Sequence, residues 1–254
     1  MELFNNQSFL IALFVGLASG SIGAFIILRR MALVGDALSH VALPGIALAL
    51  FYKTDPFWGV LSFLVVAAVL IWWLEGKSRL PTDAIVGLLF TASLAVGILT
   101  IPDHEILESL FGEFALLPIT TLWVVLGSAG LMVVLSFIFA RKFLFITVSP
   151  EVAKVGGVGR IYDLLLFLIF SIVVTLGIKL VGTLLMGALT IIPAAIAKNL
   201  SRSMSGYMIL SAVIGGGISV AGVLISESFG FLPGPLIILS GSFLFLISLP
   251  FVRR

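Results

Sequence analysis

A chain of 254 residues that is 61% hydrophobic and only 10% charged is not a soluble domain, whose sequence carries about 25% charged residues. Its mean hydropathy of +1.29, spread along the whole length, excludes a signal peptide followed by a globular domain. The net charge of +2 says little by itself, and the lack of cysteine removes disulfides and thiolate metal ligands.

A helix needs about 20 apolar residues to cross the hydrocarbon core. Runs of that character fall at 9–28, 32–51, 57–74, 84–101, 119–140, 161–178, 181–197, 206–226 and 235–252. The sixth and seventh are short and barely separated at Gly177-Ile178-Lys179, so the count stands at eight or nine. The runs are continuous, without the alternation of a closed barrel. The fold class is therefore all-α: one polytopic transmembrane helical bundle over residues 1–254.

In chain order, the first span runs straight into Arg29 and Arg30 with no Ala-x-Ala cleavage pattern and reads as a retained helix. Its Gly16-x-x-x-Gly20 and Gly23 suit close helix packing, as do Gly215-Gly216-Gly217 and Gly222 in the eighth run. Pro44 and Pro193 fall inside spans, where each removes a backbone hydrogen bond and kinks or breaks its helix. The loop 102–113 carries Asp103, His104, Glu105, Glu108 and Glu113 and reads as a solvated acidic loop. Between Thr147 and Gly159, Ser149 or Pro150 starts a short helix, Glu151 sits in its first turn, and Gly156-Gly157 end it. With nothing of its own to pack against, this helix wants a partner. Its weak amphipathicity and single lysine count against anchoring in lipid.

Arg29, Arg30, Lys77, Arg79, Arg141, Lys142, Lys154, Arg160, Lys198, Arg202, Arg253 and Arg254 fall on one side of a nine-span arrangement, and only Lys53 and Lys179 on the other. Lys and Arg collect on the cytoplasmic side. The N-terminus is expected outside and the C-terminus in the cytoplasm.

The chemistry concentrates in the second span. Asp36 and His40 lie four residues apart, on one helix face and about 6 Å apart at Cβ. An ionisable residue at membrane depth costs roughly 2.5 kcal/mol or more, which makes it a functional candidate by default. A carboxylate and an imidazole on one face are half of a divalent-metal site suited to zinc or manganese, and also to ferrous iron. The competing reading is a structural pair that hydrogen-bonds to itself or to a neighbouring helix. The chain has only two histidines, and Asp36 is the one acidic residue well inside a span. A single copy therefore cannot assemble four such ligands at membrane depth. Two copies about a two-fold axis can, and symmetric dimers are the commonest oligomers. There is no Gly-x-x-x-x-Gly-Lys-Ser/Thr loop and no His-Glu-x-x-His pair. Energy for active transport has to come from a partner or an ion gradient.

Leu28-Arg-Arg-Met-Ala-Leu-Val-Gly-Asp-Ala-Leu-Ser-His-Val-Ala-Leu-Pro-Gly45 resembles the most specific stretch of the integral-membrane permeases of zinc, manganese and iron ABC import systems, the ABC-3 family. Asp83-Ala-Ile-Val-Gly-Leu-Leu-Phe-Thr91, Ser149-Pro-Glu-Val-Ala-Lys-Val-Gly-Gly157, Val181-Gly-Thr-Leu-Leu-Met-Gly-Ala-Leu-Thr-Ile-Ile-Pro-Ala-Ala195 and Leu232-Pro-Gly-Pro-Leu-Ile237 follow in the family's order. The resemblance covers nearly the whole chain. It implies a permease that pairs with a second copy of itself in the cell membrane, receives two cytoplasmic ABC ATPase subunits, and takes its ion from an extracytoplasmic metal-binding protein. Asp36 and His40 are then the metal-coordinating pair, and Pro150, Glu151, Ala153, Gly156 and Gly157 belong to the loop that receives the ATPase. On this reading the chain is a non-catalytic subunit with no resident cofactor and no nucleic-acid partner. The acidic loop 102–113 lies outside the resemblance. The alternatives are a gradient-driven secondary metal carrier, for which the spans offer almost no proton relay, and a structural or sensor protein with a metal-stabilised dimer.

Overall fold

The first span forms helix α1 (Glu2–Leu28), which stops at two arginines, the second in the left-handed region at φ 60°. The structure, a computed structural model, describes residues 2–78, 80–100, 118–148, 153, 156–157 and 159–252, with side chains from Gln7 onward. The acidic loop with His104, and Pro150 and Glu151, lie outside the described residues.

Helices α2 (Ala32–Val41) and α3 (Leu43–Phe51) divide the second span at Ala42. The break has the expected cause: Pro44 has no N–H for the carbonyl of His40 four residues back. Helix α4 (Pro56–Lys77) begins with proline in its first turn and with the Asp55 carboxylate accepting from the Phe57 N–H at 2.8 Å, a regular N-terminal cap. Helices α5 (Thr82–Thr100) and α6 (Ile119–Ile138) follow. Beyond the fifth run, residues that the sequence reading left unassigned form most of α7 (Ala140–Val148), in which Phe143 and Ile146 share a face and are buried. The Phe143 ring meets Phe25 edge-on at 5.3 Å, which folds α7 back onto α1. Helices α8 (Ile161–Val181), α9 (Met186–Leu200), α10 (Met204–Phe229) and α11 (Pro233–Ser248) complete the bundle, with a 3₁₀ turn at Leu249–Phe251. Pro193 lies inside α9 without ending it.

Helix α1 packs most extensively against α10, and the two are antiparallel. Ser211 Oγ donates to the Gly20 carbonyl at 2.5 Å, and Tyr207 Oη to the Ala24 carbonyl at 3.2 Å. Gly16 and Gly20 face Gly215 and Ser211 so closely that a β-carbon on either would collide with backbone. This is the small-residue seam expected from the sequence, in which packing and interhelical hydrogen bonds replace the hydrophobic drive that lipid cannot supply. Helices α1, α2 with α3, and α8 are mostly buried, whereas α4, α5 and α11 stand at the periphery.

Among the described residues eight segments are long and apolar enough to cross a membrane, taking α2 and α3 as one. Helix α9, of 15 residues, falls short of that length. It nevertheless makes a ninth pass. Helix α8 starts beside Arg29, where Asp163 pairs with that residue, and ends at the opposite side, where Lys179 Nζ lies 3.6 Å from Asp55. Helix α10 starts back on the Arg29 side, as Tyr207 and Ala24 show. Only the non-helical Gly182–Leu185, α9 and the short Ser201–Ser203 join them. Asn199 Nδ2 donates to Ser248 Oγ at 2.9 Å, so α9 and α11 finish on the same side.

Candidate metal-transfer site

Helix α2 brings Asp36 and His40 together as its spacing requires. His40 is 7% exposed and Asp36 is half-buried. The imidazole meets the Phe90 ring of α5 edge-on at 5.4 Å, which fixes its plane. Its Nδ1 is buried and has no hydrogen-bond partner among the described residues. A buried polar atom left unpaired is costly, so a histidine in this state is a ligand-ready group. The structural-pair reading is not supported at that atom. Around Asp36 the backbone is held, with Ser39 Oγ donating to its carbonyl at 2.6 Å.

The first turn of α9 closes on this pair. A β-carbon at Gly187 would sit 2.7 Å from Asp36 Cα, so glycine is what lets α9 approach. Since α9 continues from Gly187 toward the Arg29 side, the non-helical Gly182–Leu185 lies on the other, Lys179 side of Asp36. Irregular backbone at membrane depth occurs where it is buried in protein or lines a polar path. Thr183 in this segment is fully buried, and its Oγ1 has no partner among the described residues. Sequence reasoning missed both Gly187 and Thr183. The one available signal was the shortness of the sixth and seventh runs.

An apolar cavity of about 650 Å³ opens beside the pair, between α3, α4 and α5. Val41, Pro44, Phe51, Phe63, Leu89 and Val96 are among its walls. A divalent cation gains nothing from such walls, because a charge leaving water needs polar partners. The charged group of this region is the carboxylate of half-buried Asp36, which is not among the cavity's lining residues. Among the described residues no group of three or more His, Asp or Glu side chains comes together.

The described loop residues precede α8, whose first turn lies at the Arg29 side. Ala153 is helical and buried, while Gly156 and Gly157 form an exposed turn. Gly157 has φ 73°, the left-handed conformation of a helix C-terminus. The expectation for Pro150 and Glu151 falls on residues that are not described.

A bundle of membrane-crossing helices with a polar pair held at membrane depth has the build of a multi-pass membrane transport protein. The chain belongs to the ABC 3 transport family, whose model matches residues 2–252. It is 32% identical over 250 residues to the manganese import system permease protein ScaB of Streptococcus gordonii, covering 96% of this chain and 90% of that one. It is 30% identical over 246 residues to the high-affinity zinc uptake system membrane protein ZnuB of Haemophilus influenzae, covering 92% of each. Among solved structures, a chain of PsaBC from Streptococcus pneumoniae, determined in complex with Fab, superposes with a TM-score of 0.84 at 33% identity, covering 96% of this chain and 90% of that one.

Proposed function

We propose that this protein is the membrane-spanning permease subunit of an ATP-driven importer of a divalent metal ion, manganese or zinc, with ferrous iron admitted by the same donors. The observation that carries the reading is the pair on α2: Asp36 half-exposed, and His40 buried with an unpartnered ring nitrogen. The names of the relatives, which speak of manganese and of zinc, support the choice of cargo. Two copies about a two-fold axis supply two Asp and two His, enough for a four-coordinate zinc. Manganese takes the same four with waters or carbonyls near Pro44.

The chain has no nucleotide-binding loop, so ATP is hydrolysed by a cytoplasmic ATPase dimer. It docks on the loop containing Pro150, Glu151, Ala153, Gly156 and Gly157. An extracytoplasmic binding protein delivers the ion, the N-terminus being outside. A transfer site must accept its ion and still release it. Ligands on α2, which is broken at Ala42 just beyond His40, can be drawn apart when the dimer switches between outward- and inward-facing states.

The test is uptake by the permease–ATPase complex in liposomes. Manganese or zinc is expected to enter only with ATP, and Asp36→Ala or His40→Ala to bring uptake to background in a complex that still assembles. Unchanged uptake in Asp36→Ala, or uptake driven by a proton gradient without ATP, overturns the reading. Competition among manganese, zinc and iron ranks the cargo.

A further inference from the structure

The loop assigned above to the ATPase leads directly into α8, and the first turn of α8 is fastened at three points. Arg160 and Trp72 of α4 exchange hydrogen bonds, Trp72 Nε1 to the Arg160 carbonyl at 2.9 Å and Arg160 Nη2 to the Trp72 carbonyl at 2.7 Å. Their side chains also stack, with the guanidinium 5.3 Å from the indole centroid. Lys142 of α7 donates to Tyr162 Oη. The third point is Asp163, which pairs with Arg29, the side chains being only 11% and 18% exposed. Arg29 Cζ also lies 5.9 Å from the Phe167 ring centroid, one turn further along α8.

The first two fastenings reach elements that carry no candidate ligand. The third reaches the turn from which α2 springs. Arg30 takes the left-handed conformation there. Met31 donates its N–H to the Ile26 carbonyl at 3.0 Å and accepts at its own carbonyl from the Val34 N–H at 3.0 Å. This turn is tight and hydrogen-bonded on both sides, so displacement of Arg29 is passed on to the start of α2. Asp36 follows within the next two turns of that helix.

We propose that the Arg29–Asp163 pair is the positioning link by which movement at the ATPase-facing loop reaches the Asp36–His40 pair. The inference rests on the importer reading. Coupling between distant sites travels through packed side chains, ion pairs and rigid elements, and α8 is such an element. A partly buried pair also resists being pulled open, because separation leaves a charge without its partner. The bland alternative is a staple that holds α1 to α8 and plays no part in transmission.

The experiment measures manganese uptake and ATP hydrolysis in the same liposomes, with the permease–ATPase complex carrying Asp163→Asn. Transmission predicts hydrolysis near wild type with uptake per ATP reduced about tenfold, within the range of coupling between linked sites. Manganese bound by the resting complex should be unchanged. The reversed pair, Arg29→Asp with Asp163→Arg, should recover uptake. If Asp163→Asn does not assemble, Arg29→Lys carries the test; it keeps the charge, loses the planar fork and should lower uptake per ATP in the same sense. Uptake and hydrolysis falling in proportion, or uptake per ATP unchanged, overturns the proposal. If the wild-type complex imports manganese and Asp36→Ala does not, the importer reading stands whatever Asp163→Asn does; if the wild-type complex fails to import, that reading itself fails.

Discussion

Two of the helix seams built on glycine in this chain are finished differently. Where α1 meets α10, backbone touches backbone at Gly16, Gly20 and Gly215, and two side-chain hydrogen bonds cross the contact. Where α2 meets α9, Gly187 also presses on Asp36, a little less closely, yet no side-chain hydrogen bond crosses among the described residues. Unpaired hydroxyls do not separate the two, since Ser219 at the first and Thr183 beside the second both lack partners among the described residues. The difference is the latch. The first seam is bonded across and suits a fixed frame; the second is contact alone, with an imidazole nitrogen left open. A site that has to take an ion and let it go cannot be locked by permanent hydrogen bonds.

The sharpest way to break this comparison is to remove the carboxylate at the unlatched seam. Asp36→Ala should bring metal uptake to background while the thermal unfolding temperature of the purified protein holds or rises, because an expensive intramembrane charge has gone. A large fall in stability would mean that Asp36 belongs to the frame instead. Gly187→Ala comes next. Its β-carbon would sit 2.7 Å from Asp36 Cα, so α2 and α9 must part. Groups that orient a metal ligand typically change affinity by roughly 10–100-fold when altered, and manganese retention by the purified complex should fall by that order. Retention at the wild-type level would show that the second seam does not position the ligand.

Much of this fold was legible because lipid leaves helices and closed barrels as the only spanning structures, so continuous apolar runs sufficed. The division at Ala42 was legible too, since Pro44 acts through its own missing N–H. Helix α7 was not. No apolar run of spanning length marks it, and only the burial of Phe143 and Ile146 shows what holds it. The ninth pass was ambiguous for its own reason: α9 is short, and the turn at Thr183–Leu185 interrupts the apolar run before it. Within the site, Asp36 and His40 stood out because ionisable residues at depth are rare. Gly187 did not, being one of 26 glycines distinguished only by what it touches. Arg29 and Asp163 are 134 residues apart, and nothing local in either segment names the other.

The latched seam should respond to crowding in stability first. Gly20→Leu places a side chain where the Ser211 carbonyl now lies. Overpacking of this kind costs about 1–3 kcal/mol, which a denaturant or thermal unfolding series would read as a lowered midpoint. Protein that remains folded should import metal at the normal rate per complex. A variant with unchanged stability but lost uptake would exchange the roles assigned to the two seams.

The smallest effect is expected at the latch itself. Ser211→Ala removes the hydrogen bond to the Gly20 carbonyl and leaves the glycine contacts in place. Interhelical hydrogen bonds in membranes average about 0.6 kcal/mol, because the separated helices also find partners for their polar groups. The Gly20 carbonyl keeps its place in the α1 ladder, so the substitution does not strand it. A shift of that size in the unfolding midpoint, with uptake unaltered, is the expected result. An effect several times larger would mean that the bond, and not the backbone contact, holds α1 to α10. The contrast with the second seam would then rest on one hydroxyl. No measurable effect would place the frame's strength in the glycine packing alone, and the seams would differ only in the half-buried Asp36 that one of them holds.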